Sequence, residues 1–511
     1  MTFPSVLFPL SIPTIRQESE NSPDFFEDLN LDQVIDSIVS RKQDYNLKPF
    51  FHTPLHDQEI INYRQDVFRD LENDDVLHAI KGFAENMVLV RGYLNMTEKL
   101  YYKYHQEGWL LEAVVIYCDA VKSLSRDLGG AKIKSKGLVD FLAYINEYIS
   151  SPAFLFLQAD SFDQKTALST IHYNVIIKGN WVRVRKFDSE MDYSEEVDRT
   201  FKKFKQGKVK NYRIDLVASS RMNHVEEKIL DCVVKLYPDI FGELDAFCLK
   251  HNDFLDDVIL TFDRQIQFYV SYLDFVEKIK FRGLEFCYPI VKAKEKSVHA
   301  NETFDIALAN KRVYDGTPVV CNSFYLEGKE RIIVVSGPNQ GGKTTFARMF
   351  GQLCYLASLG CPVPGKDAVL FLYDQIFTHF EKEEDIRNLR GKLQDDLIRI
   401  HSILETATSE SIIILNEIFT STALKDAIFL SKEIIERIIA LDALCVCVSF
   451  IDELSTIGEQ TVSMVATVVP DNPAQRTFKI IRKPANGLSY AICIAEEHHL
   501  TYDLIKERIS Q

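Results

Sequence analysis

The sequence predicts an α/β domain built around a glycine-rich loop, preceded by a mainly α-helical core and lever region with a small β insert. Three observations carry that prediction. Helix-period apolar patterns fill residues 24 to 165, with few glycines. β-branched and aromatic residues then cluster at 169 to 187. Beyond residue 304 strand-like and helix-like stretches alternate, and at 331 to 360 a strand, a glycine-rich turn and a helix follow one another.

The bulk properties narrow the function classes. A chain of 511 residues exceeds what one hydrophobic core serves, so about two to four domains are expected. Hydrophobic residues at 46% and charged residues at 26% argue for sizeable cores and against wholesale disorder. A net charge of -15 argues against a protein that coats nucleic acid over its whole surface and confines any polyanion contact to a local basic patch. Ten cysteines stand singly, without CxxC or zinc-finger spacing, so neither structural metal nor a disulfide framework is expected. The start "MTFPSVLFPLSIP" has no basic leader, and no apolar run reaches the ~20 residues that span a bilayer. A cytoplasmic protein with no membrane contact is the expectation.

Taken in order, "DQEIINYRQDVFRDLE" (57 to 72) sets Ile60, Ile61, Tyr63, Val67, Phe68 and Leu71 along one helical side. "STIHYNVIIKGNWVRVRKF" (169 to 187) reads as a hairpin about its Gly-Asn turn. Helical periodicity resumes near Asn223 and runs through 254 to 281, giving long helices that suggest levers. The polar stretch "KAKEKSVHANETF" (292 to 304) reads as a linker. The expected organisation is a helical core at 1–165, a small β-containing basic insert at 166–215, lever helices at 216–300 and the α/β domain at 301–511.

The α/β domain carries the chemistry. "RIIVVS" (331 to 336) leads into Gly337, Pro338, Asn339, Gln340, Gly341, Gly342, Lys343, Thr344 and Thr345, then into "FARMFGQLCYLASLG". In that strand, loop and helix context the pattern GxxxxGK[ST] aims backbone N–H groups and a helix amino terminus at phosphate oxygens. Lys343 is expected on the β- and γ-phosphates and Thr344 on Mg²⁺. The competing reading is a glycine-rich turn with a solvated lysine. "SIIILNE" (411 to 417) reads as a buried parallel strand that delivers Asn416 to the metal shell and Glu417 to the attacking water. Glu417 reads alternatively as a cap for the next helix. The "ALCVCVSF" run reads as a strand with buried Cys445 and Cys447.

"GPNQGGKTT", "DQIFTHFEKEEDI" (374 to 386), "NEIFTSTALKDA" (416 to 427), "SFIDEL" (449 to 454) and "LSYAICIAEEHHLTYDLIKERI" (488 to 509) fall in the order of the MutS-family ATPase domain, which the last 200 or so residues resemble. A fainter likeness to that family's helical core begins at "TPLHDQEIINYRQDVFRDLE" (53 to 72). The resemblance implies an ABC-type ATPase using ATP and Mg²⁺. It also implies a homodimer in which each nucleotide is sandwiched between a phosphate loop and the partner's signature loop, with levers around double-stranded DNA.

Four departures qualify it. Asn416 replaces the family's metal-side aspartate and Phe450 its γ-phosphate histidine. Gly391 and Lys392 stand where the trans signature has Ser-Thr, and Lys392 reads either as a phosphate contact across the dimer or as a solvated surface lysine. Phe25 and Glu27 match the mismatch-wedge motif by sequence, but without room for the domain that would hold a wedge they read as packing residues. No nuclease module is expected after the ATPase domain. The basic run "RTFKKFKQGKVKNYR" supplies Arg199, Lys202, Lys203, Lys205, Lys208, Lys210 and Arg213 as candidate DNA contacts, with a solvated face as the plainer reading. The expected function is slow ATP hydrolysis coupled to DNA binding in repair or recombination without standard mismatch reading. The alternative is an ATP-gated scaffold for a non-DNA partner such as a ribonucleoprotein.

Overall fold

The computed structural model describes residues 5–9, 18–179, 181–188, 222–381, 391–469, 472–485, 501–502 and 505–506. They fall into two compact units.

The first unit gathers Asn73–Ile133 and Val139–Asp263. Its backbone is helical, with Asp74–Lys99 and Lys103–Gly130 paired along their lengths and Pro152–Ser169, His224–Leu236 and Pro238–Lys250 beside them. The hairpin expected at 169 to 187 is present: β1 (Tyr173–Lys178) pairs antiparallel with β2 (Trp181–Lys186), and Gly179 takes φ +57° at the turn. The helical run from Asn223 is broken more often than its periodicity suggests. Asn223 and Glu226 form a reciprocal cap that starts it. Tyr237 precedes Pro238 and is forced out of the helical region, so a new helix begins there. Asp256 then accepts hydrogen bonds from the Val258 and Ile259 amides and starts Asp257–Lys280.

The second unit gathers Pro4–Glu72, Lys134–Leu138 and Arg264–Gln511. Gln58–Leu71 is a helix capped by Asp57, and the six apolar residues expected on one side are all buried. The centre is a six-stranded sheet: β3 (Ile332–Ser336), β4 (Ile376–His379), β5 (Ile412–Asn416), β6 (Leu444–Val448), β7 (Thr461–Val469) and β8 (Asn472–Arg482), in the order β4-β5-β6-β3-β7-β8. All neighbours are parallel except β7 and β8. β3, β5 and β6 are buried at every position, Cys445 and Cys447 included, as continuous β-branched runs in a covered parallel sheet require. The helix Lys343–Ser358 packs under them and is almost wholly buried.

The stretch expected as a linker at 292 to 304 is instead structural. Val298–Thr303 is a strand of a four-stranded sheet, between Asp367–Phe371 and Asn322–Leu326, with Val298, Ala300 and Thr303 buried. Val298 and Ala300 alternate inward, and a register irregularity with Glu302 at φ +50° then brings Thr303 inward. Among the described residues no helix is long and apolar enough to cross a membrane.

Candidate nucleotide-binding site

The site is built where β3 and β5 end, on the carboxyl edge of the sheet, the edge at which open parallel sheets collect ligands. The loop between β3 and its helix depends on backbone freedom. Gly337 takes φ +117°, and a Cβ there would lie 2.9 Å from the Ala466 carbonyl oxygen. Gly342 takes φ +92° as the residue that starts the helix.

Lys343 is only 5% exposed. Its Nζ donates to the carbonyls of Gly337 (3.1 Å) and Pro338 (3.2 Å) and to Asn339 Oδ1 (3.3 Å), and lies 3.7 Å from Glu417 Oε1. Burial lowers its pKa below the usual 10.5, with the Glu417 carboxylate opposing that shift. Thr344 Oγ1 donates to Asn416 Oδ1 at 2.9 Å, joining residues 72 apart in sequence. β5 thus brings Asn416 to the phosphate-loop threonine and Glu417 to the phosphate-loop lysine. Glu417 (φ +54°) and Phe419 (φ +59°) both hold left-handed backbone, a strain that persists only where the surroundings enforce it.

A cavity of about 620 Å³ opens over this group, within the range for small-molecule sites. Its lining combines Gln340, Lys343, Thr344, Thr345 and Glu417 with apolar Phe304, Leu308, Val319 and Met349. Sequence reasoning missed Phe478, which also lines it. This residue sits at φ +57° beside an irregularity in the β7–β8 register. Asn322 holds it there, donating to the Phe478 carbonyl (3.2 Å) and accepting from the Ile480 amide (2.8 Å). Nothing in the local pattern of β8 signals that bulge. Asp305 was missed too: it lines the cavity, caps Ile306–Asp315, and accepts from Gln352 Nε2 at 3.0 Å. Burial raises its carboxyl pKa against those donors.

Of the other expected residues, Gly391 caps the helix Lys392–Thr406 and Lys392 is ion-paired with Glu381. Phe450, half exposed, follows the end of β6. Phe25 packs edge-on against Tyr355, centroids 5.5 Å apart, and Phe26 is buried beside it, which is a packing role. Arg199, Lys202, Lys203, Lys205, Lys208, Lys210 and Arg213 lie outside the described residues.

The family described as MutS domain V matches residues 333–509. Residues 333–509 are thus similar to MutS domain V, and curated MutS proteins match the chain in part. It is similar to the DNA mismatch repair protein MutS of Bacillus velezensis, 30% identical over 128 residues, 25% of this chain and 15% of that protein. It is also similar to DNA mismatch repair protein MutS 1 of Haloarcula marismortui, 28% identical over 214 residues, 40% of this chain and 23% of that protein. The MutS of Thermotoga neapolitana is 34% identical over 119 residues, 23% of this chain and 15% of its own length. The matched stretches therefore span less than a quarter of these relatives. Lys343, Thr344, Asn416 and Glu417 all lie within the residues matched to MutS domain V.

Proposed function

We propose that this chain is a dimeric, slow ATPase that binds double-stranded DNA under nucleotide control, in repair or recombination without the usual mismatch reading. The observation that carries the reading is the convergence of Lys343, Thr344 and Glu417 in the lining of one cavity, with Asn416 hydrogen-bonded to Thr344. Lys343 and the N–H groups at the helix start bind the β- and γ-phosphates of ATP. Glu417, at the strand end 3.7 Å from Lys343 Nζ, orients the attacking water and accepts its proton.

The residues present fit Mg²⁺ weakly. Two oxygens, Thr344 Oγ1 and Asn416 Oδ1, already meet at 2.9 Å and suit a hard cation, but both are neutral. When bound there, Mg²⁺ would neutralise phosphate charge. Thr344 and Asn416 would hold it, with no aspartate to tighten it, which is why turnover is slow. The domain plan of helical core, basic insert, lever helices and ATPase belongs to the same proposal, as do the homodimer, the trans contact of Lys392 and the cytoplasmic setting.

Asn416 and the aromatic Phe450 favour one second reading, an ATP-gated scaffold with little hydrolysis and a non-DNA partner. Steady-state ATP turnover with and without duplex DNA separates the two. The first reading expects DNA to change turnover by severalfold and Lys343→Ala to abolish both the basal and the altered rate. Turnover indifferent to every DNA form would overturn it.

A further inference from the structure

Outside the nucleotide site, the hairpin of the helical unit carries a cationic face. Residues 172 to 187 carry Lys178, Arg183, Arg185 and Lys186 and no carboxylate, in a chain whose net charge is -15. Strand register sorts these residues. Directly opposite residues of an antiparallel pair share a face, so the pairs Lys178–Trp181, Ile176–Arg183 and Asn174–Arg185 form one face and Tyr173–Lys186, Val175–Val184 and Ile177–Val182 the other. Three of the four cations therefore share a face with Trp181, while the opposite face is mainly β-branched.

Trp181 stands at the turn, 51% exposed. Lys178 and Arg183, its neighbours on that face, are exposed as well. At its base the hairpin is anchored: Tyr237 donates to the His172 carbonyl at 2.6 Å, and the Lys186 ammonium lies 4.8 Å from the Tyr237 ring centroid. The outer half of the cationic face thus presents an exposed indole flanked by positive charge. That combination attracts phosphate and stacks on any base whose π-face is accessible. Paired bases inside a duplex offer no such face. A membrane-inserting tip is the poorer match, because Ile177, the other large apolar residue at the turn, points to the opposite face.

We propose that the Lys178–Trp181–Arg183 face of the hairpin is a nucleic-acid contact in which Trp181 stacks on an unpaired base, so that the protein prefers DNA in which a duplex adjoins unpaired bases. The proposal rests on the DNA-binding reading above and names the DNA structure that reading leaves open.

The chain has two tryptophans, so Trp109→Phe in the full-length protein leaves Trp181 as the sole indole emitter. This variant is titrated with blunt duplex, the same duplex carrying a short internal gap, oligo(dT), and phosphatidylserine vesicles, while anisotropy of labelled DNA follows binding independently. Gapped duplex and oligo(dT) are expected to quench Trp181, and blunt duplex is expected to bind with little quenching. In the otherwise wild-type chain, Trp181→Ala should lose about tenfold in affinity for gapped duplex. Trp181→Phe should retain most of it, and Arg183→Glu should weaken every DNA. Basal ATP turnover should stay unchanged in all three. Binding by anisotropy with no change in Trp181 emission, or equal affinity of Trp181→Ala for gapped duplex, would overturn the stacking role and leave the DNA reading intact. Quenching by vesicles but not by DNA would make the hairpin a membrane contact. Binding to no DNA at all would sink both readings.

Discussion

Replacing Asn416 by aspartate restores a negative charge at a position that is 8% exposed and lies 2.9 Å from the Thr344 hydroxyl. Its effects should have opposite signs with and without metal. Without a divalent cation, the new carboxylate is buried with Thr344 as its established donor, and an undersatisfied buried polar group costs about 1–3 kcal/mol. Asn416→Asp should therefore melt at a lower temperature than wild type in chelator. With Mg²⁺ and ATP, the same charge faces a cation. A charge-assisted contact is roughly twice as strong as a neutral one, and the expected gain of about 1.4 kcal/mol corresponds to a Mg²⁺ midpoint about tenfold lower. Turnover should rise. The assay is a Mg²⁺ titration of ATP turnover and of fluorescent-nucleotide binding, paired with thermal melts in chelator and in Mg²⁺. An unchanged midpoint, or an inactive variant that still folds, would refute the placement of Asn416 beside the metal.

Lys343→Ala should abolish nucleotide binding and any ATP-dependent change in oligomeric state measured by light scattering, because it removes the buried ammonium and leaves the Gly337 and Pro338 carbonyls without that donor. Glu417→Gln keeps the size of the side chain and a partner for Lys343, so ATP should remain bound on a filter assay while turnover falls to near zero. A pH effect is expected in the helical unit. Burial, followed by the hydrogen bond that protonated Glu107 donates to the neighbouring Asp245 carboxylate, raises the Glu107 carboxyl from its ordinary 4.5 to about 7. A raised acid favours folding when protonated, so this contribution is complete below about pH 4.5 and lost as pH rises through about 7. Melting curves of wild type should accordingly fall relative to Glu107→Gln across that window, and parallel curves would show that the shift is absent.

Much of this molecule was written in local pattern. The phosphate loop was legible because its glycines, lysine and threonine occupy fixed offsets between an apolar strand and a helix. β5 and β6 were legible because a parallel sheet covered on both sides demands unbroken β-branched runs, and the β1–β2 hairpin because alternation flanks a Gly-Asn turn. The break at Pro238 was not read from the helical periodicity, although proline restricts the backbone of Tyr237. What tertiary structure decided are distances between residues far apart in the chain. No spacing shows that Asn416 accepts from Thr344 or that Glu417 approaches Lys343, since both depend on β5 lying two strands from β3. Val298–Thr303 became a strand only because Asp367–Phe371 and Asn322–Leu326 offer it hydrogen-bonding edges. Phe478 reached the cavity through a bulge that Asn322, 156 residues away, holds in place. Periodicity and turn chemistry act over a few residues and are read along the chain. Partner choice across a sheet is settled by which edges and cavities the whole packed unit leaves available.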